Sequence, residues 1–393
     1  MTEALVTPSV LTWARQRRNL DIEALAAKVA VKAEVAAAWE SGDQRPTFRQ
    51  AVKIAKVLRA PLGYFYLPEP PALDCPLPDF RTPPGQPADA PSADLLDLIV
   101  DVVGKQEWYR EFLTADGVED LPFVGRYSPA DSPEAVARDI KETLAVSKAQ
   151  NDASNPEEFV RILSANAESA GIIVMRSGVV RNDNTRKLDV AEFRGFSLND
   201  PVAPVIFVNA QDAKNAQVFT IIHEAAHIWT GEGGISGPFA DVFSADARND
   251  RERFCDAVAA ETLVPSEDFH GRWTTLGGEI TARVHNLARR YRVSSLVVLR
   301  KAYDLNLMES AEYWHLHAQI RSEAAAHTSK GETGGNFQYT LLARTGAQLT
   351  QAVISSASRG DLLVRDAADM LGVSVKTLSS IAEHNFGSSL GLA

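Results

Sequence analysis

The chain has 393 residues, 45% apolar and 23% charged, with a formal net charge of −11. That length exceeds what one core usually organises, so two or three domains are expected, and the acidic total argues against a sequence-blind nucleic-acid binder. Two cysteines, Cys75 and Cys255, cannot make a disulfide framework, the start carries no secretory signal, and the longest apolar runs fall far short of the ~20 residues of a membrane span. A cytoplasmic protein with no membrane partner is the expectation.

The charge is unevenly spread. Residues 1–61 hold ten Lys and Arg against six Asp and Glu, a basic segment on an acidic chain. Within residues 10–67, Leu11, Ala14, Leu25, Ala26 and Val29 recur at helical spacing, and Gly42 and Pro46 punctuate before a further helix at 48–58. Residues 21–40 read as a helix-turn-helix. Asp21 caps a helix running through Val29, residues 30–32 turn, and residues 33–39 form a recognition helix whose first side chains meet base edges. The stretches Trp39-Glu40-Ser41-Gly42, Pro46-Thr47, Ala55-Lys56-Val57-Leu58 and Pro61-Leu62 resemble the repressor family shared with phage Cro and cI proteins. Lys32, Ala33, Glu34 and Ala37 are the candidate DNA-facing positions of that helix. Arg15, Arg17, Arg45 and Arg49 are candidate phosphate partners. The recognition helix is rich in alanine, so a docking or dimerisation module is the alternative, and a homodimer would strengthen operator binding.

Nine prolines crowd residues 68–91, which excludes regular helix or central strand and reads as a linker or an extended arm. A helix follows behind the cap candidate Ser92, and Ser132-Pro133-Glu134 and Asn155-Pro156-Glu157 each open another. Residues 171–175 and 205–208 are short β-branched runs, expected as buried strands, with further strand between them at 188–198. Helices are expected at 218–230 and 250–263. A glycine-rich break at 331–335 precedes a last helical segment, of which 364–384 has a faint second helix-turn-helix look, with a small packing domain as the preferred reading.

The sharpest chemical signal is His223-Glu224-Ala225-Ala226-His227. Positions four apart share a helix face, so both imidazoles can aim at one metal ion, while Glu224, one step round, can act as general base on the attacking water. A catalytic zinc takes three protein ligands. On the helix at 250–263, Glu252 is the chosen third ligand and Glu261 the competing one. Asp256 lies one turn after Glu252, placed to accept the second N–H of a liganding histidine. Tyr127, Arg194 and His270 are candidate oxyanion partners, with Arg194 alternatively paired to Glu192 or Asp189. Cys255 reads as a small buried residue, and Cys75 as a linker cysteine or, less simply, a cap over the zinc.

Four stretches carry a wider resemblance: Asp189-Val190-Ala191-Glu192-Phe193-Arg194-Gly195-Phe196, Ala203-Pro204-Val205-Ile206-Phe207-Val208-Asn209, the apolar run Phe219-Thr220-Ile221-Ile222 leading into His223, and Cys255-Asp256-Ala257-Val258-Ala259-Ala260-Glu261-Thr262-Leu263-Val264-Pro265. In order and spacing the chain resembles the ImmA/IrrE metallopeptidases, in the long form with a repressor-type N-terminus. The resemblance implies a gluzincin-like centre, with zinc (Zn2+) on His223, His227 and Glu252 and Glu224 as base. It also implies an α+β, predominantly helical chain. Its parts would be a five-helix-type DNA-binding domain at 1–67, the linker at 68–91, a zincin-like domain with a small sheet at 92–330, and a helical segment at 331–393. The implied function is an endopeptidase cleaving a repressor or antitoxin-type protein. The alternative is a DNA-binding repressor or antitoxin, with a toxin partner, using the peptidase-like part for sensing.

Overall fold

The computed structural model describes residues 3–71, 75, 77, 91–236, 250–326 and 337–386. Most of the proline-rich stretch at 68–91 and the glycine-rich break at 331–335 therefore lie outside the described residues. The fold is α+β and predominantly helical. It divides into two compact units, Met1–Pro76 with Ala90–Ile99, and Leu77–Asp89 with Val100–Ala393. Among the described residues no helix is long and apolar enough to cross a membrane.

The first unit is built from α1 (Pro8–Arg17), α2 (Ile22–Val29), α3 (Ala33–Ser41), α4 (Phe48–Leu58) and a 3₁₀ turn, Leu62–Tyr66, which takes the place of a fifth α-helix. Local chemistry sets the boundaries. The Asp21 carboxylate accepts from the Ala24 N–H at 2.6 Å and starts α2. Ala30, in the left-handed region at φ 63°, ends it. Thr47 and Gln50 form a reciprocal capping box at the head of α4. Leu11, Leu25, Trp39, Ile54, Leu58 and Phe65 meet in one core.

The second unit continues through α5 (Ala93–Ala115), whose first residues belong to the other unit, then α6 (Pro133–Thr143), α7 (Val146–Asp152) and α8 (Pro156–Ser169). α6 and α8 open on proline, which has no N–H to leave unsatisfied, and Ser132 and Asn155 cap them by accepting from Ala135 and Glu158. The sheet comprises β1 (Ile173–Ser177), β2 (Gly195–Leu198), β3 (Val205–Asn209) and β4 (Gly234–Ser236), ordered β1-β3-β2-β4. β1 pairs parallel to β3, and β2 pairs antiparallel to both β3 and β4. The strand expected at 188–198 is shorter than the sequence suggests. The Asp189 side chain accepts from the Ala191 N–H at 2.8 Å and its carbonyl from Phe193, which turns the backbone before Gly195.

α9 (Lys214–Trp229) packs against β2, β3, α6, α8 and α10 (Asp250–Leu263). From Thr220 to Trp229 every residue is buried, as expected of a helix lodged between a sheet and other helices rather than lying on a surface. Beyond α10 run α11 (Ser266–Thr275), α12 (Ile280–Tyr291), α13 (Ser295–Asp304) and α14 (Ser310–Ala326). Then come α15 (Phe337–Thr345), α16 (Ala347–Arg359), α17 (Val364–Leu371) and α18 (Val375–Phe386). α15 packs on β1, covering one margin of the sheet.

Candidate metal centre and nucleic-acid face

Two helices build the centre. α9 presents His223 and His227 one turn apart, and α10 lays Glu252 across them. All three residues are buried. The two Nε2 atoms lie 3.2 Å apart. Glu252 Oε2 is 3.4 Å from His223 Nε2, and Glu252 Oε1 is 3.0 Å from His227 Nε2. A zinc about 2.0–2.1 Å from each of its donors would set tetrahedral neighbours about 3.3 Å apart. The three separations match that edge, so the residues fit the ion. Among the described residues this is the group of His, Cys, Asp and Glu whose ligand atoms converge in this way.

The outward nitrogens are held too. Asp256 Oδ1 lies 3.0 Å from His223 Nδ1, and Cys255 Sγ lies 3.5 Å from His227 Nδ1. Consecutive residues of α10 thus serve one imidazole each, leaving both Nε2 atoms turned to the centre. Cys255 does more than fill space, and its adjacency to Asp256 was the signal available for this.

The electrostatics agree with the geometry. Burial opposes charge on His223, but Glu252 and Asp256 outweigh it and push that imidazole up to about 10. Burial likewise opposes charge on His227, yet Cys255 and Glu252 raise it well above the ordinary histidine range. Burial would raise Glu252, and the two imidazoles hold it well below the carboxylate range. The cluster therefore favours positive charge at its middle, which suits a divalent cation.

Glu224 is fully buried beside this centre, under the start of β2. A Cβ built on Gly195 would lie 3.1 Å from Glu224 Oε1, 2.5 Å from Thr220 Cγ2 and 2.8 Å from the Phe207 carbonyl oxygen. The bare glycine is what lets α9 approach the sheet here. The far end of α9 is closed by a loop. Gly125 and Tyr127 donate their N–H groups to the carbonyls of Ile228 and Trp229 at 3.0 Å each. Phe123 stacks on Trp229 at 4.2 Å, and Trp229 Nε1 donates to Asp139 at 3.1 Å.

The other sequence candidates have the following surroundings. Glu261 accepts from Lys301 Nζ at 2.6 Å and from the Ser266 N–H at 3.0 Å, which makes it a packing and capping carboxylate away from the histidines. Arg194 pairs with Asp212 at 3.2 Å. His270 is exposed on α11. Tyr127 is half-buried by the end of α9, its ring under the Arg126 guanidinium.

In the first unit, Lys32 is the residue before α3, and Lys32, Glu34 and Ala37 are exposed, with Ala33 half-buried. Arg45 and Arg49 are exposed at and after the turn into α4. Arg15 and Arg17, expected to hold phosphates, are occupied internally. Arg15 makes a two-pronged pair with Glu40 at 2.7 and 2.9 Å and donates to the Leu20 carbonyl. Arg17 pairs with Asp97 at 2.7 Å. Their helix faces inward over this stretch, so the guanidiniums knit the unit together instead of facing a phosphate backbone.

Comparison with known families accords with this geometry. Residues 167–303 match the IrrE N-terminal-like domain, residues 11–65 match the helix-turn-helix family, and residues 345–384 match a domain of unknown function (DUF8813). The first match spans β1 to α13 and so contains the whole histidine–glutamate cluster, and the second contains α2 and α3. No curated protein matches the chain. The chain thus joins a helix-turn-helix domain to an IrrE/ImmA-like, metallopeptidase-like domain.

Proposed function

We propose that this chain is a zinc-dependent endopeptidase carried on a DNA-binding domain, which cleaves a transcriptional repressor or antitoxin-type protein and so regulates transcription. The observation that carries the reading is the convergence of His223 Nε2, His227 Nε2 and the Glu252 carboxylate at 3.0–3.4 Å with Glu224 buried next to them. Zinc bound there supplies a Lewis acid for the scissile carbonyl and makes water a stronger acid. Asp256 and Cys255 hold the two imidazoles in the tautomer that turns Nε2 inward. Glu224 takes the proton from the attacking water and returns it to the departing amine nitrogen. β4, last in the sheet order among the described residues, is the strand to which an extended peptide would add. Operator contact is assigned to Lys32, Ala33, Glu34 and Ala37, with Arg45 and Arg49 on phosphates.

The test has two parts, metal content of the purified protein and proteome-wide labelling of new N-termini in cells expressing wild type or Glu224→Gln. The variant is expected to retain its metal and to lose the cleavages the wild type produces, by the ~10²–10⁴-fold typical of a removed general base. Equal cleavage by both rejects Glu224 as the base. Absence of wild-type cleavage together with tight DNA binding favours a regulator that senses rather than cuts.

A further inference from the structure

We propose that α16, α17 and α18 form a second DNA-binding module, with α18 the helix that enters the major groove of duplex DNA. The starting observation is a backbone joint shared with the first unit. α2 ends at Ala30 in the left-handed region, the next residue, Val31, donates its N–H back to the Ala26 carbonyl at 3.0 Å, and α3 begins two residues further on. α17 ends at Gly372, also left-handed at φ 64°; Val373 donates back to Ala368 at 2.9 Å, and α18 likewise begins two residues on. Both joints place a buried alanine four residues before the left-handed position and a valine one residue after it. In each case the two helices joined by this short turn pack on each other, as in a helix-turn-helix.

The joint alone does not make a DNA reader, because α12 and α13 share it through Arg292 and Val293. There the second helix is sealed in the core, with Val298, Leu299, Lys301 and Ala302 buried. α18 differs. Leu378, Ile381 and Ala382 form its buried stripe, while Ser374, Lys376 and Ser380 are exposed and Thr377 half-buried. These lie at the start of the second helix, where side chains reach base edges and flanking phosphates. The corresponding face of α3 shows Glu34 and Ala37. α18 offers instead the Lys376 ammonium, a group able to address purine acceptors in the groove, while the Ser374 and Thr377 hydroxyls pair with each other at 2.8 Å and Ser374 caps the helix by accepting from the Thr377 N–H.

The joint is also braced. Arg344 donates to the Leu371 carbonyl at 3.0 Å and to Asn182 Oδ1 at 2.6 Å. The match at 345–384 covers this three-helix unit almost end to end. Its exposed charges, Arg359, Arg365 and Lys376 against Asp361, Asp366, Asp369 and Glu383, give little long-range attraction. The module therefore adds a second sequence element to a site, with the tethered N-terminal domain raising its local concentration.

The experiment is selection of the full-length protein against a randomised 40-base-pair duplex library, for wild type, Lys376→Glu with Ser380→Glu, and Arg45→Glu with Arg49→Glu. Wild type is expected to enrich two distinct motifs. The tail variant should lose one motif and bind the two-motif duplex at least tenfold more weakly, with an unchanged unfolding midpoint. The Arg45 and Arg49 variant should lose the other motif, so failure of the first domain is read separately. Identical motifs and affinity for wild type and the folded tail variant overturn the proposal, as does a wild type that enriches a single motif. If the double variant unfolds, Lys376→Gln alone is the comparison, with the same loss expected in smaller degree.

Discussion

Two glutamates of one helix, nine residues apart, illustrate how environment assigns roles. Glu252 lies against two imidazoles, whereas Glu261 lies against the Lys301 ammonium and the first N–H of α11. Removing each should therefore produce opposite phenotypes. Glu252→Ala is expected to empty the centre of metal, because two histidines alone hold zinc far more weakly than three ligands. Glu261→Ala should keep the metal and lose stability by roughly 2 kcal/mol, since it strands the buried Lys301 ammonium without its carboxylate. Metal content by elemental analysis and thermal unfolding of both variants separate the two. Metal loss on Glu261→Ala with retention on Glu252→Ala would exchange the assignments.

At the scale of elements, the centre depends on how closely α9 approaches β2, and Gly195 sets that distance. A methyl group there meets the Phe207 carbonyl oxygen at 2.8 Å, and backbone cannot step aside as a side chain can. Gly195→Ala should cost roughly 1–3 kcal/mol of stability through overpacking. It should also reduce peptide cleavage well beyond what the remaining folded fraction explains, because the displaced groups are Thr220 and Glu224. A variant with full specific activity would show that the carboxylate does not need this clearance. Much of this architecture was legible in the sequence, since histidines four apart on an apolar helix, cap-and-proline pairs before α6 and α8, and β-branched runs at β1 and β3 are local signals. What stayed hidden was set by tertiary contact. β4 has only Ile235 to announce it, and its strand character comes from pairing with β2. Arg15 and Arg17 look like phosphate ligands in a basic segment until Glu40 and Asp97 are brought beside them. Cys255 gains its place at His227 only when α9 and α10 cross.

At the scale of the whole chain, the last helices are fastened to the peptidase-like part through a half-buried acid. Glu168, at the end of α8, accepts from the Ala347 N–H at 2.8 Å at the head of α16, and its own carbonyl accepts from Gln348. Gly346 passes so near that a Cβ there would lie 3.0 Å from Glu168 Oε1. Burial raises this carboxyl to about 7, against the opposing pull of the Ala347 and Val174 N–H groups and of Arg176. Its unfolded counterpart releases a proton near 4.5. Between those values the folded form holds a proton that the unfolded form has lost, so folding stability falls as pH rises from about 4.5 to about 7, then levels off. The full change is on the order of 3 kcal/mol. Glu168→Gln keeps an acceptor for Ala347 and cannot ionise. It should match wild type near pH 4.5 and exceed it progressively up to pH 8, most visibly as slower hydrogen exchange in α15 and α16. Parallel pH curves for the two proteins would mean that Glu168 stays ionised in the fold and that the fastening of α16 to α8 does not respond to protons.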